Sequence, residues 1–340
     1  MCARFRYELD DTGILYQITP DVISGIDNET LKQYDGIVIL LATNKMGGFN
    51  YGTMGKWKIS KDGEEISLSV SLTYPEILES VSIKVLYHEY GHNLGWYHSA
   101  YWVPPKNQEC RYCEDLMNIV RGTNSCQMFD YGDSWTNMGY IGAQTDCQRR
   151  KDAGWINESQ SVTVRSDSTV ELDQRELASD GIKLINIPCG YNEEEEIFYF
   201  IEYFKAALSY FDSKSKYTSS ANSILLRLWT GKALGYYGEK SIIFSEEESV
   251  TYFENNDVFC DSARGVKIEL LEIYGSGADS KARVKISFDC PEEIVPAVNF
   301  SSDETISIFP EETAEYKISI SNNCKIGCGT RTYNLAATTP

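Results

Sequence analysis

The chain has 340 residues, of which 42% are hydrophobic and 24% charged, and these proportions are typical of a soluble globular protein with two or three domains. Its formal net charge of −19 argues against nucleic acid as a partner, because a phosphate-binding surface needs an excess of lysine and arginine. The same charge disfavours anionic membranes, and the longest apolar run, residues 36–42, is too short for a transmembrane segment. The oligomeric state leaves no signal in the sequence.

The N-terminal residues and the cysteines lead to different expectations about secretion. The first residues, MCARFRYELDD, lack the apolar core of a signal peptide. The ten cysteines are an even number that favours disulfides and an oxidising compartment. We therefore expect an extracellular, secreted glycoprotein whose signal and propeptide are missing from this sequence. Sequons at Asn28, Asn157 and Asn299 fit that compartment.

Strand patterns precede a helical pattern in the first hundred residues. Residues 34–43 are apolar and β-branched and predict a buried strand, residues 47–52 predict a loop, and residues 66–72 alternate as a strand. Residues 80–94 have the period of a helix. This order predicts an α+β domain, a mixed twisted sheet backed by helices, with a cleft beneath an edge strand. Such an edge is a template for an extended peptide.

The end of the predicted helix carries a metal-binding pattern, YHEYGHNLGWYHS. On a helix, His88 and His92 lie on the same face, about 6 Å apart along the axis, and can hold one metal ion. Glu89 is too far round the helix to ligate with them, which suits a carboxylate that handles a metal-bound water. Gly95 can take a positive φ, end the helix and let His98 return as a third ligand. The pattern predicts one catalytic zinc ion with an open fourth position.

The alternative is an ordinary packed or surface helix that happens to contain two histidines. The chain contains only 3 histidines, and all of them fall in this pattern. Chance placement of that kind is rare, so the zinc interpretation is favoured.

Beyond the third histidine, three cysteines lie in a segment that we predict to be a loop held by disulfides. Alternatively, Cys110-x-x-Cys113 begins a structural zinc site that Cys126 and Cys147 would have to complete, because no histidine remains. Two further candidate disulfides join Cys260 to Cys290 and Cys324 to Cys328.

The loop leads to the segment DYGDSWTNMGY, residues 130–140. It contains Met138 followed by a glycine, which alone is typical of an ordinary core methionine. Asp130 and Asp133 can contribute to a calcium site, although carboxylates in a turn are more often caps or hydrogen-bond acceptors.

The extended zinc pattern together with this methionine resembles the metzincin metallopeptidases, whose hallmark is a methionine turn below the metal. The resemblance implies that His88, His92 and His98 are the zinc ligands. It also implies that Glu89 is the catalytic carboxylate and that Met138 is the turn methionine.

Within the metzincins the sequence looks most like the gametolysin family of secreted zinc endopeptidases. Ser99 follows the third histidine, where reprolysins usually carry aspartate. The Tyr-Gly-Asp run ahead of the methionine, Asp152-Ala-Gly-Trp-Ile156 and Ile201-Glu-Tyr203 are similar to gametolysins. The resemblance covers roughly residues 34–290 and implies a protein or glycoprotein substrate from the extracellular matrix or cell wall.

Tyr140 departs from the gametolysin pattern. It stands two residues after Met138, the spacing at which astacins and serralysins carry a tyrosine that approaches the zinc. At that place its phenol would donate to a developing oxyanion or act as a fifth ligand. The alternative is an aromatic residue packed beside the turn.

The pattern changes after residue 158. Short alternating strands at residues 162–164, 170–172, 266–270 and 282–288 predict a β-sandwich-like region. Prolines at positions 291 and 296 indicate a linker, and residues 316–320 and 330–335 resemble part of an immunoglobulin-like module. We therefore predict three parts: a catalytic domain over 1–158, a β-rich accessory domain over 159–290 and a partial immunoglobulin-like module over 291–340.

The predicted function is that of a secreted zinc endopeptidase in which Glu89 is the general base. One alternative is an adhesion or binding protein that keeps the metalloprotease scaffold without turnover. Another is a zinc hydrolase that acts on something other than peptides.

Overall fold

The computed structural model describes residues 19, 21–40, 51–73, 80–103, 127–129, 131–133, 135–139, 144–192, 195–205, 222–230, 241–246, 249–250, 253–261, 264–289, 297–300, 318–321 and 324–326. Across these residues the chain is a mixed α+β structure in which sheets predominate over a few helices. This confirms the predicted α+β class, while the metzincin-like domain and the immunoglobulin-like module remain predictions. None of the helices in the described ranges is long and apolar enough to cross a membrane.

The first sheet is organised around its longest strand. Its members are β1 (Gly36–Leu40), β2 (Tyr51–Gly52), β3 (Trp57–Lys61) and β4 (Glu64–Thr73). The parallel strand β1 lies on one side of β4, and the antiparallel strands β2 and β3 lie on the other. Along β4, alternate apolar side chains such as Leu68 and Val70 are buried, as the alternation in the sequence predicted. The predicted loop at residues 47–52 is wrong at Tyr51 and Gly52, since these residues pair with β4 as an edge strand.

The described ranges include the helices α1 (Asn28–Leu31), α2 (Ser80–Asn93) and α3 (Cys147–Asp152). Helix α2 confirms the helix predicted over 80–94. It ends in a Schellman motif, in which Trp96 N–H donates to Gly91 O at 3.0 Å and Gly95 N–H to His92 O at 2.8 Å. Gly95 has a φ of +89°, which a side chain would disfavour. The glycine therefore ends the helix and turns the chain toward His98, as the sequence indicated.

The C-terminal turn of α2 is fixed to the first sheet by one side chain. Asn93 Nδ2 donates to Thr53 O at 3.1 Å and to Val70 O at 3.0 Å, and its Oδ1 accepts from Ser71 Oγ at 2.5 Å. These bonds satisfy a half-buried amide and set the distance between helix and sheet.

Most of the remaining strands form two larger sheets. The second sheet contains β5 (Ala100–Val103), β6 (Gln127–Phe129), β7 (Ser161–Thr163), β9 (Leu184–Asn192), β10 (Glu195–Lys205), β11 (Asn222–Trp229), β12 (Ser241–Glu246) and β13 (Ser249–Val250). The third contains β8 (Ser168–Asp173), β14 (Val258–Asp261), β15 (Val266–Tyr274), β16 (Lys281–Ser287) and β19 (Cys324–Ile326). A separate pair consists of β17 (Ala297–Phe300) and β18 (Ile318–Ser321).

The second and third sheets share one hydrophobic core. Side chains from both sheets, among them Ile201, Leu226, Ile268 and Val284, belong to a single buried cluster. The strands predicted near residues 162, 170, 266 and 282 are confirmed, with bounds that differ by one to a few residues at most ends. Alternating apolar residues that are buried on one face explain why these strands could be predicted.

The second sheet contains strands from both sides of the boundary that we predicted at residues 158–159. In strand order, β6 and β5 are followed directly by β12, and β5 pairs with β12 in parallel. Likewise, β19 from the predicted third part pairs with β14 of the predicted second part. The three predicted parts therefore contribute strands to common sheets.

The cysteines in the described ranges differ in state. Cys260 is disulfide-bonded, and its predicted partner Cys290 lies outside the described residues. Cys147 is a free thiol at 0% exposure, and burial raises its pKa well above the ordinary value. The alternative in which Cys147 completes a structural zinc site stays a prediction, because Cys110, Cys113 and Cys126 lie outside the described residues.

A chain truncated after residue 158 is expected not to fold by itself, because β5 would lose its neighbour β12 and the core behind it. The fragment 1–158 and the whole chain would be compared by circular dichroism and thermal unfolding. Cooperative unfolding of the fragment at the temperature of the whole chain would contradict this expectation.

Candidate metal centre

The three histidines of the chain come together at the C-terminal end of α2. Their candidate ligand atoms all lie within 4.8 Å of one another, and Nε2 of His92 is 3.0 Å from Nε2 of His98. Each side chain is half-buried. Within the described ranges this is the one group of three or more histidine, cysteine or acidic side chains that could hold a metal ion. The structure thus brings together the three ligands predicted from the sequence.

Backbone carbonyls orient the two imidazoles that α2 carries. His88 Nδ1 lies 2.8 Å from Asn137 O, and His92 Nδ1 lies 2.7 Å from Trp96 O. A carbonyl oxygen only accepts hydrogen bonds, so Nδ1 carries the proton in both rings and Nε2 keeps its lone pair. Burial lowers the pKa of His92 to about 3, with a further contribution from the other two imidazoles. Neutral rings whose Nε2 atoms carry no proton are the form that binds a metal ion.

Glu89 lies beside the triad and is only 6% exposed. Burial raises the pKa of its carboxyl to about 7, and a hydrogen bond from the backbone N–H of Gly52 opposes that rise. Gly52 approaches the helix so closely that a Cβ there would overlap the Glu89 carbonyl and lie 3.1 Å from His92 Cβ. A glycine at this end of β2 therefore permits the edge strand to reach the carboxyl group.

Met138 packs against α2 between the two helical histidines. Its side chain is 0% exposed, and a Cβ at Gly91 would overlap its sulfur atom. The carbonyl of Met138 accepts a hydrogen bond of 2.8 Å from Ser99 N–H, next to the third histidine. The predicted turn methionine therefore contacts the helix and also the segment that carries His98.

Buried charged side chains hold the segment around Met138, residues 131–139, against the second sheet. We call the described part of this segment the methionine turn. Arg227 on β11 pairs with Asp133 through Nε at 2.9 Å and also with Glu202 on β10. Arg175 donates to Glu202 at 2.7 Å and to the carbonyl of Trp135 at 2.9 Å. We call Asp133, Arg175, Glu202 and Arg227 the buried ionic cluster. All four side chains are fully or almost fully buried.

The charges of this cluster shift each other's pKa. Burial alone would raise the pKa of Glu202, but Arg227 and Arg175 outweigh it and hold the pKa at about 2. Burial would lower the pKa of Arg227, whereas the neighbouring Asp133 and Glu202 raise it. Both groups are therefore ionised at neutral pH, as a buried pair of opposite charges requires.

A third buried arginine holds the segment of the third histidine. Arg149 in α3 donates to Ser99 Oγ and to Asp146 Oδ2, both at 2.5 Å, and to the carbonyl of Tyr97 at 2.7 Å. The backbone on both sides of His98 is thereby fixed to α3.

The supporting roles of the buried ionic cluster were not predicted from the sequence. Asp133 was considered as a calcium ligand, but its carboxylate accepts from Arg227 and from Trp135 N–H. Glu202 carried a signal that could have identified it, because it is a lone carboxylate inside the apolar run IFYFIEYF of β10. A charge at a position that must be buried predicts a buried partner of opposite sign.

Tyr131 lies against the histidines, where one of the two interpretations of the sequence would place Tyr140. Its ring centroid is 3.6 Å from that of His98 and 5.6 Å from that of His88. Tyr140 lies outside the described residues. The tyrosine that the structure places at the triad thus precedes the methionine turn.

A cavity of about 760 Å³ lies on the other side of α2. It is lined in part by Tyr87, Tyr90, Trp96 and Trp155, and it does not include the triad.

Comparison of the chain with family models, with curated proteins and with solved structures finds no match.

The substitution Glu202→Gln is expected to destabilise the fold by about 3–5 kcal/mol at neutral pH, because it removes the buried carboxylate that two buried guanidinium groups share. The pKa of Glu202 falls from 4.5 to about 2 on folding, so its contribution is present above pH 4.5 and is lost as the pH falls toward 2. The stability difference between wild type and variant should therefore shrink over that range.

Urea unfolding followed by tryptophan fluorescence at several pH values measures this difference. The matched control is Glu171→Gln, which removes an exposed carboxylate paired with Arg283 and should cost less than about 1 kcal/mol. A difference for Glu202→Gln that stays constant from pH 7 to 2 would contradict the assignment.

Proposed function

We propose that the chain is a zinc-dependent endopeptidase that hydrolyses peptide bonds of extracellular proteins. One observation carries the proposal. The three histidines converge at one place, two of them with Nδ1 against a backbone carbonyl, and a buried carboxyl group follows the first ligand by one residue.

The donor set fits a single zinc ion. Zinc takes neutral imidazole nitrogens, and three protein ligands leave a fourth tetrahedral position for the reaction. His88, His92 and His98 would hold it, with the first two oriented by the carbonyls of Asn137 and Trp96. When bound, zinc supplies Lewis-acid polarisation of the scissile carbonyl and increases the acidity of water.

Glu89 is the group that moves the proton in the proposed reaction. It accepts a proton from the attacking water as the carbon–oxygen bond forms, and it then gives this proton to the amine nitrogen as the peptide bond breaks. The Gly52 N–H holds the carboxyl group in place on the side facing β2. The low exposure of Glu89 limits competition from bulk water.

The position of β2 supports a peptide as substrate. In the strand order β1-β4-β2 of the first sheet, β2 is the edge strand among the described residues. Its residue Gly52 contacts the backbone of Glu89. An extended peptide that pairs with such an edge would run past the triad with its carbonyl groups at regular spacing. The proposed substrates are therefore extended segments of proteins or glycoproteins.

Glu89→Ala is expected to retain about one zinc ion per chain and to lose proteolysis by a factor of about 10² or more, because the ligands remain and the general base is removed. Elemental analysis gives the zinc content, and casein cleavage with and without a chelator gives the activity. His92→Ala should lose both zinc and activity, whereas Tyr34→Ala, an exposed residue at 62%, should lose neither.

Undiminished activity of Glu89→Ala would overturn the role assigned to it. A wild-type protein that binds zinc and cleaves no peptide, under conditions in which a reference protease cleaves casein, would favour the binding-protein alternative. Chelator-sensitive turnover of esters without peptide cleavage would favour a hydrolase of another class.

A further inference from the structure

Tyr131 contacts the one candidate ligand that α2 does not carry. The rings of Tyr131 and His98 are 3.6 Å apart between centroids and tilted by 34° to each other. The ring of Tyr131 is also nearly parallel to that of His88, at 19° and 5.6 Å. The tyrosine is 42% exposed, so part of its surface faces solvent beside the triad.

The backbone of Tyr131 has an unusual conformation. Its φ is +62°, in the left-handed region that glycine and asparagine adopt far more readily than an aromatic residue. Strained backbone at a functional site is informative when the surrounding structure enforces it. The backbone conformation at this position therefore disfavours an aromatic residue, yet the chain has a tyrosine here.

The chain is anchored in the interior of the protein two residues after Tyr131. Asp133 is fixed by Arg227 and by Trp135 N–H, and its carbonyl is packed against Gly139 so closely that a Cβ there would overlap it. The chain leaving Tyr131 is thus anchored in the buried ionic cluster. The ring is held above His98 by parts of the fold that do not themselves touch the triad.

We propose that Tyr131 is a positioning residue whose ring holds the His98 imidazole in the orientation that points its Nε2 at the place shared with His88 and His92. The proposal rests on the contact between the two rings, whose centroids are 3.6 Å apart. The aromatic ring, and not the hydroxyl group, performs this function. The inference rests on the proposed function only in that the triad binds a metal ion.

The first test needs neither metal nor activity. The chain has 3 histidines, so labelling them with ¹³C at the ring gives three sets of NMR signals. In the metal-free protein, Tyr131→Gly should shift the His98 signals most, because the ring current of the stacked tyrosine is lost. Tyr131→Phe should leave these signals close to their wild-type positions.

The second test is metal affinity, measured by competition between the protein and a chromophoric zinc chelator. Losing the support of a ligand should weaken zinc binding about 10-fold or more in Tyr131→Gly, while Tyr131→Phe should stay close to wild type. Tyr131→Asn lacks the ring but tolerates the left-handed backbone, so it should behave like the glycine variant without its added flexibility. Tyr90→Ala, which removes a tyrosine of similar exposure from the cavity on the other side of α2, is the matched control.

Thermal unfolding of the metal-free variants separates positioning from folding. Melting temperatures near wild type together with weaker zinc binding in the glycine and asparagine variants would support the proposal. Unchanged His98 signals and zinc affinity in both variants would overturn it while leaving the proposed function intact. A loss in Tyr131→Phe equal to that in Tyr131→Gly would also overturn it, since the hydroxyl group would then be responsible. Absence of zinc binding in the wild type would instead remove the proposed function, and this inference with it.

Discussion

The buried ion pairs between Glu202, Arg175, Arg227 and Asp133 are the constraint on which the candidate site depends. A charged group taken out of water is costly unless a partner of opposite sign and further hydrogen bonds compensate it. Asp133 in the methionine turn stays paired with Arg227 while the turn remains against β11, and Arg227 also pairs with Glu202 on β10. Separating the turn from the second sheet would leave charges unpaired in the interior, so the turn has little freedom to move.

From this cluster the constraint passes to the ligands through the backbone. Arg175 holds the carbonyl of Trp135, and the carbonyl of Met138 accepts from Ser99 N–H. Arg149 fixes the same segment from α3 through Ser99 and the neighbouring carbonyl. The position of His98 is therefore set by residues that follow much later in the sequence, as far as Arg227 on β11, and that carry none of the site chemistry.

The features that could be predicted from sequence are those with a local cause. Helical spacing placed His88 and His92 on one face, and the freedom of Gly95 predicted where the helix ends, because both effects act within a few residues. The pairing of Asp133 with Arg227 joins positions 94 apart and leaves no local pattern. The short strand β2 was missed for a related reason, since Tyr51 and Gly52 form a strand only through pairing with β4. The ring contact of Tyr131 depends on that same long-range anchoring.

The two ligands on α2 and the third ligand, His98, are thus held by different sheets. Helix α2, with His88, His92 and Glu89, is fixed to the first sheet through Asn93 and Gly52. His98 belongs to the segment that is fixed to α3 and the second sheet. The two groups of ligands meet where Met138 packs on α2 and where His88 contacts the carbonyl of Asn137 in the turn. A metal ion held by all three histidines would cross-link these two groups, and because it requires the folded arrangement it would stabilise that arrangement in proportion to its affinity. All three ligands must be close together before a metal ion can bind. The buried ionic cluster meets this requirement without a metal, because it holds the third ligand within reach of the first two.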